Sequence, residues 1–137
     1  MRIAQVAIDG SGRVLVVDDD ALIRDTLATA LGDEGYAVRV ASNGRAALIT
    51  IGTWRPDVIV LDLMMPVMDG HSFRAAQRAV AETAHIPVIV LSATHEVHGR
   101  AASLDAAAIF AKPFDLGALL DVIARLLANP RADALPS

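Results

Sequence analysis

Two short runs of consecutive apolar residues each stop at aspartate: Arg13-Val14-Leu15-Val16-Val17-Asp18-Asp19-Asp20 and Val58-Ile59-Val60-Leu61-Asp62. A half-buried strand alternates polar with apolar residues. An unbroken run this short, bounded by polar residues, fits a strand buried on both faces, as in a parallel sheet covered by helices on either side. If the two runs are neighbouring parallel strands, their carboxylates meet at one edge of the sheet. Close carboxylates repel one another, so such a cluster calls for a cation. An all-oxygen ligand set favours a hard ion, Mg²⁺ first.

The rest of the chain alternates in the same manner. Strands are expected at Val14–Val17 (β1), Ala37–Ala41 (β2), Val58–Leu61 (β3), Val88–Leu91 (β4) and Ala108–Ala111 (β5). The first helix, α1, carries Ile23, Leu27, Ala30 and Leu31 at helical spacing and stops at Gly35, a C-terminal cap. Helix α2 follows the Ser42-Asn43-Gly44 turn, runs through Ala46, Ala47, Leu48 and Ile51, and is ended by Pro56. Asp69-Gly70 opens α3, which is expected to reach about Thr83, and α4 covers roughly residues 96–104. Asp115 caps α5, with Leu116, Leu119, Leu120, Ile123, Leu126 and Leu127 on one face. Five strands alternating with five helices predict an α/β fold, a doubly wound five-stranded parallel sheet with helices on both faces. Ligands of such sheets sit outside the carboxyl ends of the strands, where the strand order reverses. Both aspartate groups stand at strand carboxyl ends. Residues 1–12 read as an N-terminal extension or linker, since Asp9-Gly10-Ser11-Gly12 is a flexible stretch; 13–128 form the domain and 129–137 a C-terminal tail.

At 137 residues the chain fits one domain with a proper core. Its 54% hydrophobic and 20% charged residues belong to a globular rather than a disordered protein. The absence of cysteine excludes disulfides, zinc-thiolate sites and thiol nucleophiles. The apolar runs fall short of the ~18 residues a membrane span needs, and Asp9-Gly10 breaks the apolar start too soon for a signal peptide. A cytoplasmic protein that engages neither membrane nor nucleic acid directly is expected, because the net charge is −4 and no basic cluster is present. The basic set comprises eleven arginines and a single lysine, Lys112, which singles that residue out for its chemistry.

Asp18 and Asp19 follow β1 directly. One aspartate explains a helix cap, and three in a row exceed that need. Asp62 ends β3 and leads into Leu63-Met64-Met65-Pro66-Val67-Met68-Asp69-Gly70, a rigid, shaped turn. A carboxylate beside a cation can act as a nucleophile toward phosphoryl groups, giving an aspartyl phosphate. Ser92 and Lys112 fall at the carboxyl ends of β4 and β5, on the same edge; a hydroxyl and a compact ammonium both suit phosphoryl oxygens. His95 and His98, spaced i, i+3, and His71 at a helix start read as surface residues. Trp54 reads as a packing residue, as do Met64, Met65 and Met68, which could also contact a partner.

Taken together, Val16-Val17-Asp18-Asp19-Asp20, Asp62-Leu63-Met64-Met65-Pro66 with Asp69-Gly70, Leu91-Ser92-Ala93 and Lys112-Pro113-Phe114 resemble the receiver domain of two-component response regulators, over about residues 13–128. The resemblance implies the flavodoxin-like (βα)5 fold with strand order 2-1-3-4-5. It implies that Asp62 is the phosphoacceptor, served by a histidine kinase or a histidine phosphotransfer protein. Asp19, Asp62 and the backbone carbonyl of Met64 would coordinate Mg²⁺, with Asp18 acting through water; Ser92 would follow the phosphoryl group and Lys112 would bridge to it. The Lys112-Pro113 bond matches one that is often cis in the family. Such a domain is not an enzyme with a free substrate, although it assists its own phosphoryl transfer and dephosphorylation.

The chain departs from the family pattern in two places. The switch aromatic common three residues before the lysine is Ile109, with Phe110 next to it on the opposite strand face; the glycine common seven residues before the lysine is Asp105. Both lie on the α4–β5–α5 face, where the family binds its downstream protein targets. Ser92, Ile109 and Phe110 are therefore the candidate switch and readout positions. Two other readings compete. One is a Mg²⁺-dependent phosphatase with an aspartate nucleophile, which would want a second aspartate where Met64 stands. The other is an interaction module that has no need of phosphate, to which Ile109 lends weight.

Overall fold

The computed structural model describes residues 12–93 and 104–128. Five parallel strands pair in the order β2-β1-β3-β4-β5, with β1 at Arg13–Val17, β2 at Ala37–Ala41, β3 at Val58–Asp62, β4 at Val88–Ala93 and β5 at Ala108–Lys112. This is the expected doubly wound sheet. The helices are α1 (Ala21–Asp33), α2 (Gly44–Thr53), α3 (Gly70–Ala79) and α5 (Leu116–Ala128). The expected α4, with His95 and His98, falls outside the described residues but for Leu104, as do most of the N-terminal extension and the tail. Among the described residues no helix is long and apolar enough to cross a membrane.

The apolar runs are buried on both faces because two cores lie back to back across the sheet. Leu15, Val17, Ile59, Leu61, Val88 and Val90 face α2 and α3, joining Ala47, Ile51 and Phe73. Their neighbours Val14, Val16, Val58, Val60, Ile89 and Leu91 face α1 and α5, joining Leu27, Leu31, Leu119 and Ile123. Period-two alternation thus divides each strand between two helical layers. Ile109 is partly buried against the first core and Phe110 against the second.

The local signals for element ends act as read. Asp20 caps α1 by accepting from the Leu22 N–H at 2.9 Å, Asn43 caps α2 through the Ala46 N–H at 2.8 Å, and Asp69 caps α3 through the Ser72 N–H at 2.9 Å. After α1, Gly35 takes φ +97°, the left-handed conformation that a glycine adopts without steric cost. Helix α3 is shorter than expected: it stops at Ala79, and Val80 turns to an extended conformation. The Thr83 hydroxyl donates to the Gln77 carbonyl at 2.7 Å, so the residues after Ala79 satisfy the helix end from outside it.

Candidate functional site

With β1 and β3 side by side and Val17 in register with Leu61, Asp18 and Asp62 leave the sheet at the same level, at the point where strand order reverses. The three consecutive aspartates divide their work. Asp20 is the helix cap, Asp19 is exposed, and Asp18 is fully buried. The Asp18 carboxylate accepts from the Asp20 N–H at 2.9 Å and from the Lys112 ammonium at 3.1 Å. Its own carbonyl accepts from the Arg24 guanidinium at 2.9 Å, which ties the turn to α1.

Asp62 is also buried; its carboxylate accepts from the Met64 N–H at 3.2 Å and lies 3.4 Å from the Lys112 ammonium. Lys112, last residue of β5, is thus shared between two carboxylates from two other strands. Burial, and then repulsion from Asp18, push the Asp62 carboxyl up to about 7, with Lys112 and the Met64 N–H acting in the opposite direction. Burial alone would push the Lys112 ammonium down; Asp62 and Asp18 more than reverse this and leave it above the usual lysine value.

Asp18, Asp19 and Asp62 each offer a carboxylate oxygen, and these oxygens lie within 4.8 Å of one another. The donor set fits a hard divalent cation: it is all oxygen, and two of its three carboxylates are buried close enough to repel one another. Ser92 lies inside β4, fully buried, its hydroxyl donating to the Ala93 carbonyl at 3.1 Å; Ala93 is in register with Lys112. The Lys112-Pro113 peptide is cis.

The loop after Asp62 is braced at both ends. The Gly70 N–H donates to the Leu63 carbonyl at 3.0 Å, and the Gly44 N–H at the start of α2 donates to the Met68 carbonyl at 2.9 Å. Met65 is buried in the core, Met68 packs against Gly44, and Met64 is exposed. Val67, 75% exposed, is held at φ +69°, an uncommon conformation for any side chain and a poor one for a β-branched residue. Val67→Asn, which tolerates that conformation, should raise stability by roughly 0.5–1 kcal/mol; a urea midpoint at or below that of the parent would contradict the strain.

Two features were not anticipated from sequence. Asp57, before β3, accepts from the Gly12 and Arg13 N–H groups, both at 2.9 Å, and pins the start of β1. Arg74 and Gln77 of α3 are buried and form a polar network. The signal for the second was present: Gly70, Phe73, Arg74 and Gln77 are spaced i, i+3, i+4, i+7, the buried stripe of a helix, and two of the four are polar. Trp54 is a packing residue with an added feature, since the Arg13 and Arg39 guanidinium carbons lie 5.3 and 5.1 Å from its ring centre.

The chain is similar to known proteins. Among curated relatives, the response regulator MprA of Mycolicibacterium vanbaalenii is 42% identical over 123 residues, covering 88% of this chain and 52% of that protein. MprA of Mycobacterium leprae is 40% identical, covering 88% and 53%. The chain therefore spans about half the length of the curated relatives it matches. Among solved structures, the receiver domain of the Francisella response regulator 1452 superposes with a TM-score of 0.78 at 32% identity, covering 87% of this chain and 98% of that one. The chemotaxis response regulator CheY4 of Vibrio cholerae gives 0.77 at 35%, covering 85% and 98%. The family model described as the response regulator receiver domain matches residues 14–124, nearly all of the described fold, and the chain belongs to that family.

Proposed function

We propose that the chain accepts a phosphoryl group on Asp62 from a phosphohistidine of a histidine kinase or histidine phosphotransfer protein, with Mg²⁺ as cofactor, and thereby alters its binding to a downstream protein. The observation that carries this reading is the Asp62 carboxylate, 3.4 Å from the Lys112 ammonium and grouped with Asp18 and Asp19 at the strand-order reversal. In the reaction, an Asp62 oxygen bonds to phosphorus while the N–P bond of the phosphohistidine breaks; the nitrogen keeps the electron pair and takes up a proton. Lys112 balances negative charge on the phosphoryl oxygens. Bound Mg²⁺ supplies positive charge beside those oxygens, and Asp18, Asp19, Asp62 and the Met64 backbone carbonyl are the groups that would hold it.

Ser92 is the group that answers the new charge, by turning its hydroxyl from the Ala93 carbonyl to a phosphoryl oxygen. Bonding of that kind favours one of two packings of the α4–β5–α5 face, to which Ile109 and Phe110 contribute. The protein works in the cytoplasm as a signalling phosphoacceptor rather than as an enzyme turning over a free substrate; Met64 offers no side-chain acid for a phosphatase. The test is incubation with Mg²⁺ and acetyl phosphate followed by intact mass, with the beryllofluoride adduct as a stable stand-in against fast dephosphorylation. One phosphoryl adduct that disappears in Asp62→Asn and on removal of Mg²⁺ is expected. An adduct that persists in Asp62→Asn would overturn the assignment, and partner binding unchanged by beryllofluoride would favour the phosphate-independent module.

A further inference from the structure

A charged side chain in a protein interior is costly unless its donors are matched, and a buried arginine has five N–H groups to place. Arg74 places its own on three acceptors. Its Nε donates to the Leu104 carbonyl at 3.1 Å, one terminal nitrogen to the Asp105 carbonyl at 2.9 Å, and the other to Gln77 Oε1 at 2.8 Å. Gln77 then donates from Nε2 to the carbonyls of Thr83 at 2.7 Å and Ile86 at 3.1 Å. Asp105 stands at φ +55°, and its carboxylate lies 3.8 Å from the Arg78 guanidinium, one turn further along α3. The conformation a glycine would adopt freely is here held by hydrogen bonds to the backbone and an ion pair to the side chain.

The position of this clamp is unusual in what it joins. Helix α3 starts on the phosphoacceptor strand: a Cβ on Gly70 would lie 2.6 Å from the Asp62 carbonyl oxygen. Four residues later, on the same helix face, Arg74 bonds the carbonyls of Leu104 and Asp105, just ahead of β5. From Asp105 the chain enters β5, which ends at Lys112. One rigid helix therefore connects the backbone at Asp62 to the entrance of the strand that delivers Lys112.

Resting on the phosphoacceptor reading above, we infer that Arg74 is a positioning residue that holds the 104–105 turn in its unphosphorylated arrangement, so that phosphorylation at Asp62 must work against the clamp. The hydrogen bonds of Arg74 coexist with the Asp62 carboxylate beside the Lys112 ammonium and with the Ser92 hydroxyl on the Ala93 carbonyl, two pairings that a phosphoryl group bonded by Lys112 and Ser92 would displace. A contact present in one of two states biases the equilibrium by its differential free energy, and the apparent affinity of a ligand for the other state falls by the same factor. Loosening the clamp thus makes the phosphorylated arrangement easier to reach. Arg74→Met leaves the Leu104, Asp105 and Gln77 oxygens without these donors and so lowers stability, which the urea midpoint reads separately from affinity.

The experiment uses the full chain, Mg²⁺ and beryllofluoride, with affinity read by calorimetry and stability by urea unfolding. Arg74→Met keeps the length of the side chain and removes its donors. Arg74→Lys keeps the charge and some of the donors, and serves if Arg74→Met does not fold. The expected result is tighter beryllofluoride binding, by about 5-fold or more in Arg74→Met, the lower end of typical coupling between sites, and by a smaller factor in Arg74→Lys. An affinity unchanged from wild type in the folded variants, whatever the change in urea midpoint, would reduce Arg74 to a packing role and overturn the inference alone. Weaker binding would overturn it too, by assigning the clamp to the phosphorylated state. A wild type that takes up no beryllofluoride overturns the phosphoacceptor reading and this inference with it.

Discussion

Gly70→Ala should destabilise the protein by more than about 3 kcal/mol, among the largest effects of any single methyl group in this fold. The added Cβ would meet the Asp62 carbonyl oxygen at 2.6 Å, the Leu63 Cα at 2.8 Å and a Leu63 side-chain carbon at 2.9 Å. The first two are backbone atoms at the end of a fully buried strand, and they cannot yield without moving Asp62 itself. The matched control is Gly52→Ala. Gly52 lies in α2, and a methyl group there would have nothing within 4 Å, so the ordinary helix preference for alanine should raise stability by up to about 1 kcal/mol. Urea unfolding of the two variants should give midpoints displaced in opposite directions at similar slope. A Gly70→Ala protein of near-parental midpoint would mean that α3 is not seated on the end of β3 as described.

Asp62→Asn should stabilise the cation-free protein at pH 8 and flatten its pH dependence. The Asp62 carboxyl is raised from 3.8 to about 7, so between those values the folded chain retains a proton that the unfolded chain releases. Stability therefore falls as pH rises from about 4 to about 7, and above that the contribution of this group is constant and unfavourable. Asparagine removes the effect together with the repulsion from Asp18, for an expected gain of about 2 kcal/mol at pH 8 and little change near pH 4. Urea midpoints measured in chelator at both pH values check this. A variant less stable than the parent at pH 8 would show that the pair with Lys112 outweighs burial and repulsion. Adding Mg²⁺ should narrow the difference, since only the parent retains the full carboxylate set.

The sheet and its acidic edge were legible because each left a local mark, whereas the strand order followed from the family resemblance alone. Unbroken runs such as Val58–Leu61 announce strands buried on both faces, and the aspartates that end two of them mark the carboxyl edge. Lys112 stood out as the sole lysine, and it is in contact with both buried carboxylates. What escaped was whatever depends on a partner far along the chain. The extent of α3 was overestimated because the Thr83 hydroxyl ends it from beyond, by bonding the Gln77 carbonyl. Arg74 gave no hint that it would reach residues thirty positions away, although it occupies a buried helix position. Nor does any local pattern say that Asp57 would hold the backbone at Gly12 and Arg13.

The single tryptophan bears on how all of these measurements are to be read. Trp54 ends α2 between Arg13 and Arg39, while the opposite end of that ten-residue helix, about 15 Å away, touches the loop after Asp62 at Met68. Its emission should be set by two guanidinium groups and the amino-terminal side of the sheet. The protein thus carries an intrinsic fluorophore that follows unfolding and stays nearly silent to events at Asp62, so stability and switching can be observed separately in one sample.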